Sequence, residues 1–329
     1  MKNPKISIIT PSFNQGQFIE ETIDSVLSQN YSDLDYVIID GGSTDNSVEI
    51  IKKYEKHLSY WVSEPDKGQS HAINKGLKVV SGEVVNWLNS DDFLALDALY
   101  KVSEVFSNPE TKAYCARSTK FDENSQYLSR GTEVYSNNLE KTLGWARIDQ
   151  PETWFRKAAF DVVGEVSEAM HYLMDREWWI RYLFTYGLEG IVQTDDVIVN
   201  FRLHADSKTV SQSESFQIDH DTLFIHLAKK YKRDDIVDFL QKHFDVRKDY
   251  NLPHIDISHC SPTLFDYYLV RKADEAYFSG NIDLSRKMLA MIAETSLDLE
   301  AKKLYKRLTL RSHPLIYPLI SWTKKTRLF

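Results

Sequence analysis

Two cysteines in 329 residues, Cys115 and Cys260, are too few for a disulfide framework, and neither stands at the spacing of a zinc site. That excludes a disulfide-stapled secreted scaffold and fits a reducing compartment. No apolar run approaches the ~18 residues of a membrane span. The longest candidate, Leu315 to Trp322, is broken by Pro318. The opening MKNPKISIITPSFN lacks an apolar signal region and a small-residue cleavage site, so a cytoplasmic location is expected. There is no basic excess either: the net charge is −8 and the pI about 5.7, which argues against nucleic acid as a partner. Finally, no Gly-x-Gly-x-x-Gly follows any candidate strand, and no Walker A loop is present. Any nucleotide must be held by something other than a glycine-built cradle.

What is there is an ordinary globular composition, 42% hydrophobic and 27% charged, enough for one large or two modest domains. The charge is uneven. Ala301 to Phe329 carries eight Lys and Arg and no acid, so with −8 overall the remainder sums to −16. With Tyr317, Trp322 and Phe329, this end suits the anionic inner face of a cell membrane; a solvated helix end is the plainer alternative.

The first hundred residues alternate strand and helix. Lys5–Thr10, Tyr36–Ile39, Ser59–Ser63 and Val84–Leu88 are short, β-branched or aromatic runs. Between them, Gln17–Gln29, the stretch after Asp45, and Ser70–Val80 carry apolar stripes at helical spacing. This predicts a doubly wound, mostly parallel α/β sheet. Ligands of such sheets sit beyond the carboxyl ends of the strands. Asp40, Asp66 and Asp91 each follow a strand, so one edge is expected to gather all three. Ala113–Tyr135 turns antiparallel in pattern, Met170–Leu183 is helical, and Val197–Arg202 is a strand ending just before His204. Beyond Thr209 only one glycine remains, Gly280, and the pattern is helical. A boundary is placed there: 1–209 as an α/β domain, with a nucleotide half to about 112 and an acceptor half from 113, and 210–329 as a helical extension.

Asn89-Ser90-Asp91-Asp92 follows the apolar run Val84–Leu88. Adjacent carboxylates at a buried strand end are costly unless a cation is near. A hard divalent ion sharing phosphate oxygens would relieve them; capping the next helix is the alternative use.

Four ordered segments, TPSFNQ (Thr10–Gln15), DGGSTDNS (Asp40–Ser47), SEPDKGQSHAINKG (Ser63–Gly76) and WLNSDD (Trp87–Asp92), resemble the inverting glycosyltransferases of family two. The likeness runs from about Lys5 to Thr209, to members that build bacterial surface polysaccharides (capsule, O-antigen or exopolysaccharide). It implies a GT-A fold, a hexosyltransferase-type activity, a nucleotide-diphosphate-sugar donor (a UDP-sugar first), a glycan or lipid-linked glycan acceptor, and Mg²⁺ or Mn²⁺ as cofactor. By the same resemblance Thr10, Pro11 and Phe13 would border the base. Asp40 would contact the base or ribose, Asp66 the base, and Asn89, standing where the family's motif has its first Asp, would bind a ribose hydroxyl. Asp91 would hold the metal with His204, and Asp92 would be secondary. Asp175, ahead of a Trp-rich helix, would be the general base that inverting transfer needs, with Glu177 its competitor. Arg202 and Lys208 would neutralise diphosphate charge, and Gln150-Pro151 and Trp154 would shape the acceptor pocket. Two rivals remain: a sugar-phosphate nucleotidyltransferase, whose N-terminal Gly-rich loop Thr10–Gln15 lacks, and a non-catalytic scaffold of the same fold.

Overall fold

The computed structural model describes residues 3–205, 207 and 212–317. The chain divides into two compact units: Met1–Val134 with Arg147–Asp256, and Tyr135–Ala146 with Ile257–Phe329.

In the first unit, strands Ile6–Ser12 (β1), Leu34–Asp40 (β2), Tyr60–Ser63 (β3) and Val84–Trp87 (β4) are joined by helices Ile19–Leu27 (α1), Ser47–Lys53 (α2) and Gln69–Val79 (α3). All of β1 is buried between parallel neighbours β2 and β4, and its buried Ser7 and Thr10 hydroxyls are satisfied by Asp35 and Tyr36. Phe93–Leu94 (β5), helix Ala98–Phe106 (α4), Ala113–Phe121 (β6), Gln126–Leu128 (β7), Thr153–Arg156 (β8), helices Ala158–Val163 (α6) and Met174–Tyr186 (α7), and Ile191–Arg202 (β9) follow; Leu139–Gly144 (α5) belongs to the other unit. The sheet order is β3-β2-β1-β4-β8-β6-β9-β5, with β7 on β6.

Strand direction decides where the site forms. β1 to β4 run parallel. β8 is antiparallel to β4 and to β6, so β6 regains the direction of β4, and β9 runs parallel to β6. The carboxyl ends of β1, β2, β3, β4, β6 and β9 therefore share one edge. β8 and β5 run the other way, so their amino ends, after Glu152 and Asp92, reach that edge too. One core of Ile6, Ile8, Ile23, Ile38, Val84, Leu99, Trp154 and Ile198, among others, holds the sheet and helices beneath it.

The division between units does not fall at Thr209. Helices Ser213–Lys230 (α8) and Asp234–His243 (α9) belong to the first unit. Buried polar bonds tie that stretch in: Asp219 accepts from the Tyr172 amide at 3.0 Å and pairs with Arg247, and the Tyr250 hydroxyl donates to Glu177 at 3.0 Å. Loss of glycine marks a change of secondary structure, which need not be a change of packing unit.

The second unit packs α5 with Leu264–Phe278 (α10), Ile282–Ala290 (α11) and Leu299–Ser312 (α12). Asn138, Asn281 and Asp298 cap α5, α11 and α12 through their side chains. Gly144 lets α5 close on α10: a Cβ there would fall 2.1 Å from the Leu264 carbonyl oxygen. Of the basic end, α12 exposes Lys303, Lys306, Arg307 and Arg311; residues 318–329 lie outside the described part. Among the described residues no helix is long and apolar enough to cross a membrane.

Candidate active site

A cavity of about 630 Å³ opens at the shared strand edge. Its wall includes Pro11 near the end of β1 and Phe13 just past it, Gly41 beyond β2, Asp66 beyond β3, Asn89 to Asp92 beyond β4, Lys120 near the end of β6, and Phe201, Arg202 and His204 at and past the end of β9. Asp149 to Pro151 before β8 and Tyr172, Met174 and Asp175 at the start of α7 close the other side.

The three acidic loops reach the edge in different states. Asp66 faces the cavity, its Oδ1 accepting from the Gly68 amide at 2.7 Å. Gly41 makes room for it, since a Cβ there would lie 2.8 Å from Asp66 Oδ2. Asp40, expected at the base or ribose, is fully buried and off the described cavity wall. Its carboxylate accepts from the Gly42 and Ser43 amides and the Ser43 and Ser63 hydroxyls. Asp40 thus shapes the β2 loop, where Gly42 takes a φ of +84° that side chains rarely adopt. Thr10 is likewise buried, its hydroxyl 3.1 Å from that of Tyr36, and it too is off the wall.

Asp91 and His204 meet, with Oδ2 and Nε2 3.0 Å apart. Asn89 takes a hydrogen bond from Gln69 at 2.7 Å and leans its amide toward Asp92. Asp92 has little side chain in water, and its Oδ1 accepts from the Arg202 amide at 2.9 Å. Burial first, then the Asp91 charge, push the Asp92 carboxyl well above the usual carboxylate range.

Whether this arrangement suits a divalent cation can be judged from its donors. Among the described residues no three His, Cys, Asp or Glu converge as a metal cage. Mg²⁺-type ions, however, usually take one or two protein ligands and leave the rest to water and substrate phosphates. A 3.0 Å separation of Asp91 Oδ2 and His204 Nε2 is also about that of adjacent corners of an octahedron with ~2.1 Å bonds. The pair fits.

Asp175 and Glu177 separate cleanly. Asp175 lines the cavity, and burial, opposed by the Arg176 amide and guanidinium, raises its carboxyl to about 6. Glu177 is fully buried, held at both oxygens by Arg181 at 2.8 and 2.9 Å and by Tyr250. It is off the described wall, and its role is to seat α7. Trp154 is 1% exposed in the core, off the wall as well; Trp178 and Trp179 are also core, packed on Phe160 and Tyr182. Lys208 lies outside the described residues.

The sequence reading missed Asp149 and Lys120. They pair at 3.2 Å on the cavity wall, and behind them burial and the Asp149 charge raise Glu152 to about 8. The available signal was position: Asp149 immediately precedes Gln150-Pro151.

Residues 7–162 match the family model described as "Glycosyl transferase family 2". A putative teichuronic acid biosynthesis glycosyltransferase, TuaG of Bacillus subtilis, is 39% identical over 106 residues, 31% of this chain and 41% of the relative. The S. aureus TarS 1–349 structure in complex with UDP-GlcNAc superposes with a TM-score of 0.57 at 17% identity, covering 93% of this chain and 91% of that one. The mannosyltransferase PcManGT of Pyrobaculum calidifontis, in complex with GDP-Man and Mn²⁺, gives 0.54 at 18%, covering 98% and 84%. At such identities the structural likeness shows the fold, GT-A. The segment of residues 7–162, which carries most of the cavity wall, is thus similar to glycosyl transferase family 2.

Proposed function

We propose that this enzyme transfers a sugar, with inversion, from a nucleotide-diphosphate sugar to a hydroxyl of a glycan or lipid-linked glycan in cell-surface polysaccharide synthesis. The observation that carries the reading is that one cavity is walled by Asp66 and Asn89, by the Asp91–His204 pair, and by Asp175. The likeness to TuaG and TarS supports the surface-polysaccharide setting and a UDP-sugar donor.

Asp66, Pro11 and Phe13 would receive the nucleoside, and Asn89 a ribose hydroxyl. Asp175 takes the proton of the acceptor hydroxyl as its oxygen bonds to the anomeric carbon, while the carbon–oxygen bond to the diphosphate breaks on the opposite face. A carboxyl at about 6 is ionised at neutral pH yet more basic than an exposed carboxylate, which suits a general base. A divalent cation, when bound, supplies positive charge to the leaving diphosphate, with Asp91 and His204 the residues that would hold it.

Asp175→Asn is expected to lower transfer by about 10²–10⁴-fold while calorimetry finds UDP binding within twofold of the parent. Undiminished turnover would remove Asp175 from the mechanism. We also propose that the exposed Lys303, Arg307 and Arg311 of α12 rest on anionic lipid. Co-sedimentation with phosphatidylglycerol vesicles that persists in the triple Gln variant would end that part.

A further inference from the structure

Arg202 was expected to neutralise the diphosphate, yet its surroundings describe another task. Its backbone amide donates to Asp92 Oδ1 at 2.9 Å, and its Nε donates to the Asp91 carbonyl oxygen at 3.1 Å. Its Nη2 donates to the Glu21 carboxylate. The guanidinium carbon sits 4.9, 5.7 and 4.8 Å from the ring centres of Phe18, Phe93 and Phe121. These three rings come from the start of α1, from β5 and from the end of β6. Phe18 also packs on the His204 ring, with centres 4.8 Å apart.

We propose that Arg202 is a positioning residue. Caged by three rings and anchored by Glu21, it ties the Asp91-Asp92 loop to the end of β9 and so sets the Asp91–His204 spacing. Glu21, off the described cavity wall, then acts on diphosphate and cation binding through it, while Phe18 packs on both Arg202 and His204. A planar guanidinium on aromatic faces with directed hydrogen bonds on its edge suits this; a lysine would keep the charge and lose the geometry. The inference rests on the Asp91–His204 pair being the diphosphate-side site.

The test turns on the sign of one substitution. Glu21 is 56% exposed at its side chain, so Glu21→Gln leaves the fold intact. If Arg202 served by touching the diphosphate, removing its competing carboxylate would leave UDP binding unchanged or tighten it. Positioning predicts the reverse: calorimetry with UDP and Mn²⁺ weakens about 10-fold in Glu21→Gln and in Arg202→Lys, as for other residues that orient metal ligands. Uridine affinity should not move. Equal or tighter UDP binding in Glu21→Gln overturns the proposal. A second readout needs no nucleotide: at fixed pH the ¹⁵N signals of the His204 imidazole shift in Glu21→Gln if the spacing to Asp91 relaxes, and unchanged signals overturn it. Should the parent protein bind no UDP with Mn²⁺, the functional reading fails while this second arm still decides the positioning claim.

Discussion

In the second unit Lys141 is 2% exposed and completely partnered: Asp298 Oδ2 lies 2.7 Å and Glu300 Oε2 2.5 Å from its Nζ, with the Tyr135 and Trp145 rings at 3.9 and 5.5 Å. Burial alone would strip the charge from this ammonium, but the two carboxylates outweigh it and raise its pKa. In the first unit Asp175 is half-buried on the cavity wall, its neighbour Arg176 offsets that burial only in part, and its pKa moves toward the neutral form. Both are shielded charges. One is a structural joint, and the other is held in a state that a substrate would improve. Incomplete compensation facing a cavity is a better sign of chemistry than burial or charge taken separately.

Neutralising each group in turn, with stability read beside activity, separates the two roles. Asp175→Asn has the largest expected effect, the loss of transfer given above, but its stability should change in the opposite sense. A carboxyl raised in the folded state binds its proton more tightly there, so its contribution is favourable at low pH and is lost as pH rises through about 6. Ionised at pH 7, it costs up to about 3 kcal/mol. Asp175→Asn should therefore raise the denaturant midpoint at pH 7 and leave it unchanged near pH 3. A variant that loses activity and stability together at pH 7 would show Asp175 to be a structural group like Lys141.

Lys141→Met comes next, with the opposite sign. Removing one partner of a fully buried pair costs about 3–5 kcal/mol. Here Asp298 and Glu300 keep 34% and 65% of their side chains in water, so about 2 kcal/mol is expected. Urea unfolding should show the loss while UDP affinity, which the proposed function assigns to the first unit, stays as it was. Lys141 with its raised pKa stabilises at all pH below its ordinary lysine value, and that stability fades only as alkali carries the pH through the raised one.

How far the sequence disclosed this contrast can be followed residue by residue. The family resemblance pointed to Asp175 and His204, and the strand–helix alternation led to the parallel half of the sheet and to the edge where Asp66 and Asp91 follow their strands, with Asp40, expected beside them, buried off the wall. Those signals are local, since a strand is followed by its loop. What stayed hidden depends on partners distant in the chain. Asp40 and Asp66 look alike as loop acids, but only the structure shows Ser63 and the loop amides filling Asp40. Asp175 and Glu177 stand two residues apart on one helix, and Arg181 and Tyr250 decide between them. Helices α8 and α9 looked like part of an appendage because periodicity reports an amphipathic face and not what it packs against.

Trp154 carries the smallest expected effect. Its ring is 1% exposed in the main core, and its indole nitrogen has no hydrogen-bond partner among the described residues. Trp154→Phe would remove an unsatisfied donor, worth about 1–3 kcal/mol in its favour. It would also leave a void where the larger ring system packed, a cost of similar size. The two oppose, so net stability should move by no more than about 1 kcal/mol, or ~2–4 °C in melting temperature for a unit of this size. Acceptor KM should not move, because the ring does not reach the described cavity wall. A tenfold rise in acceptor KM at constant melting temperature would return Trp154 to the acceptor pocket, and aromatic burial would then be no guide to which side of this sheet edge does chemistry.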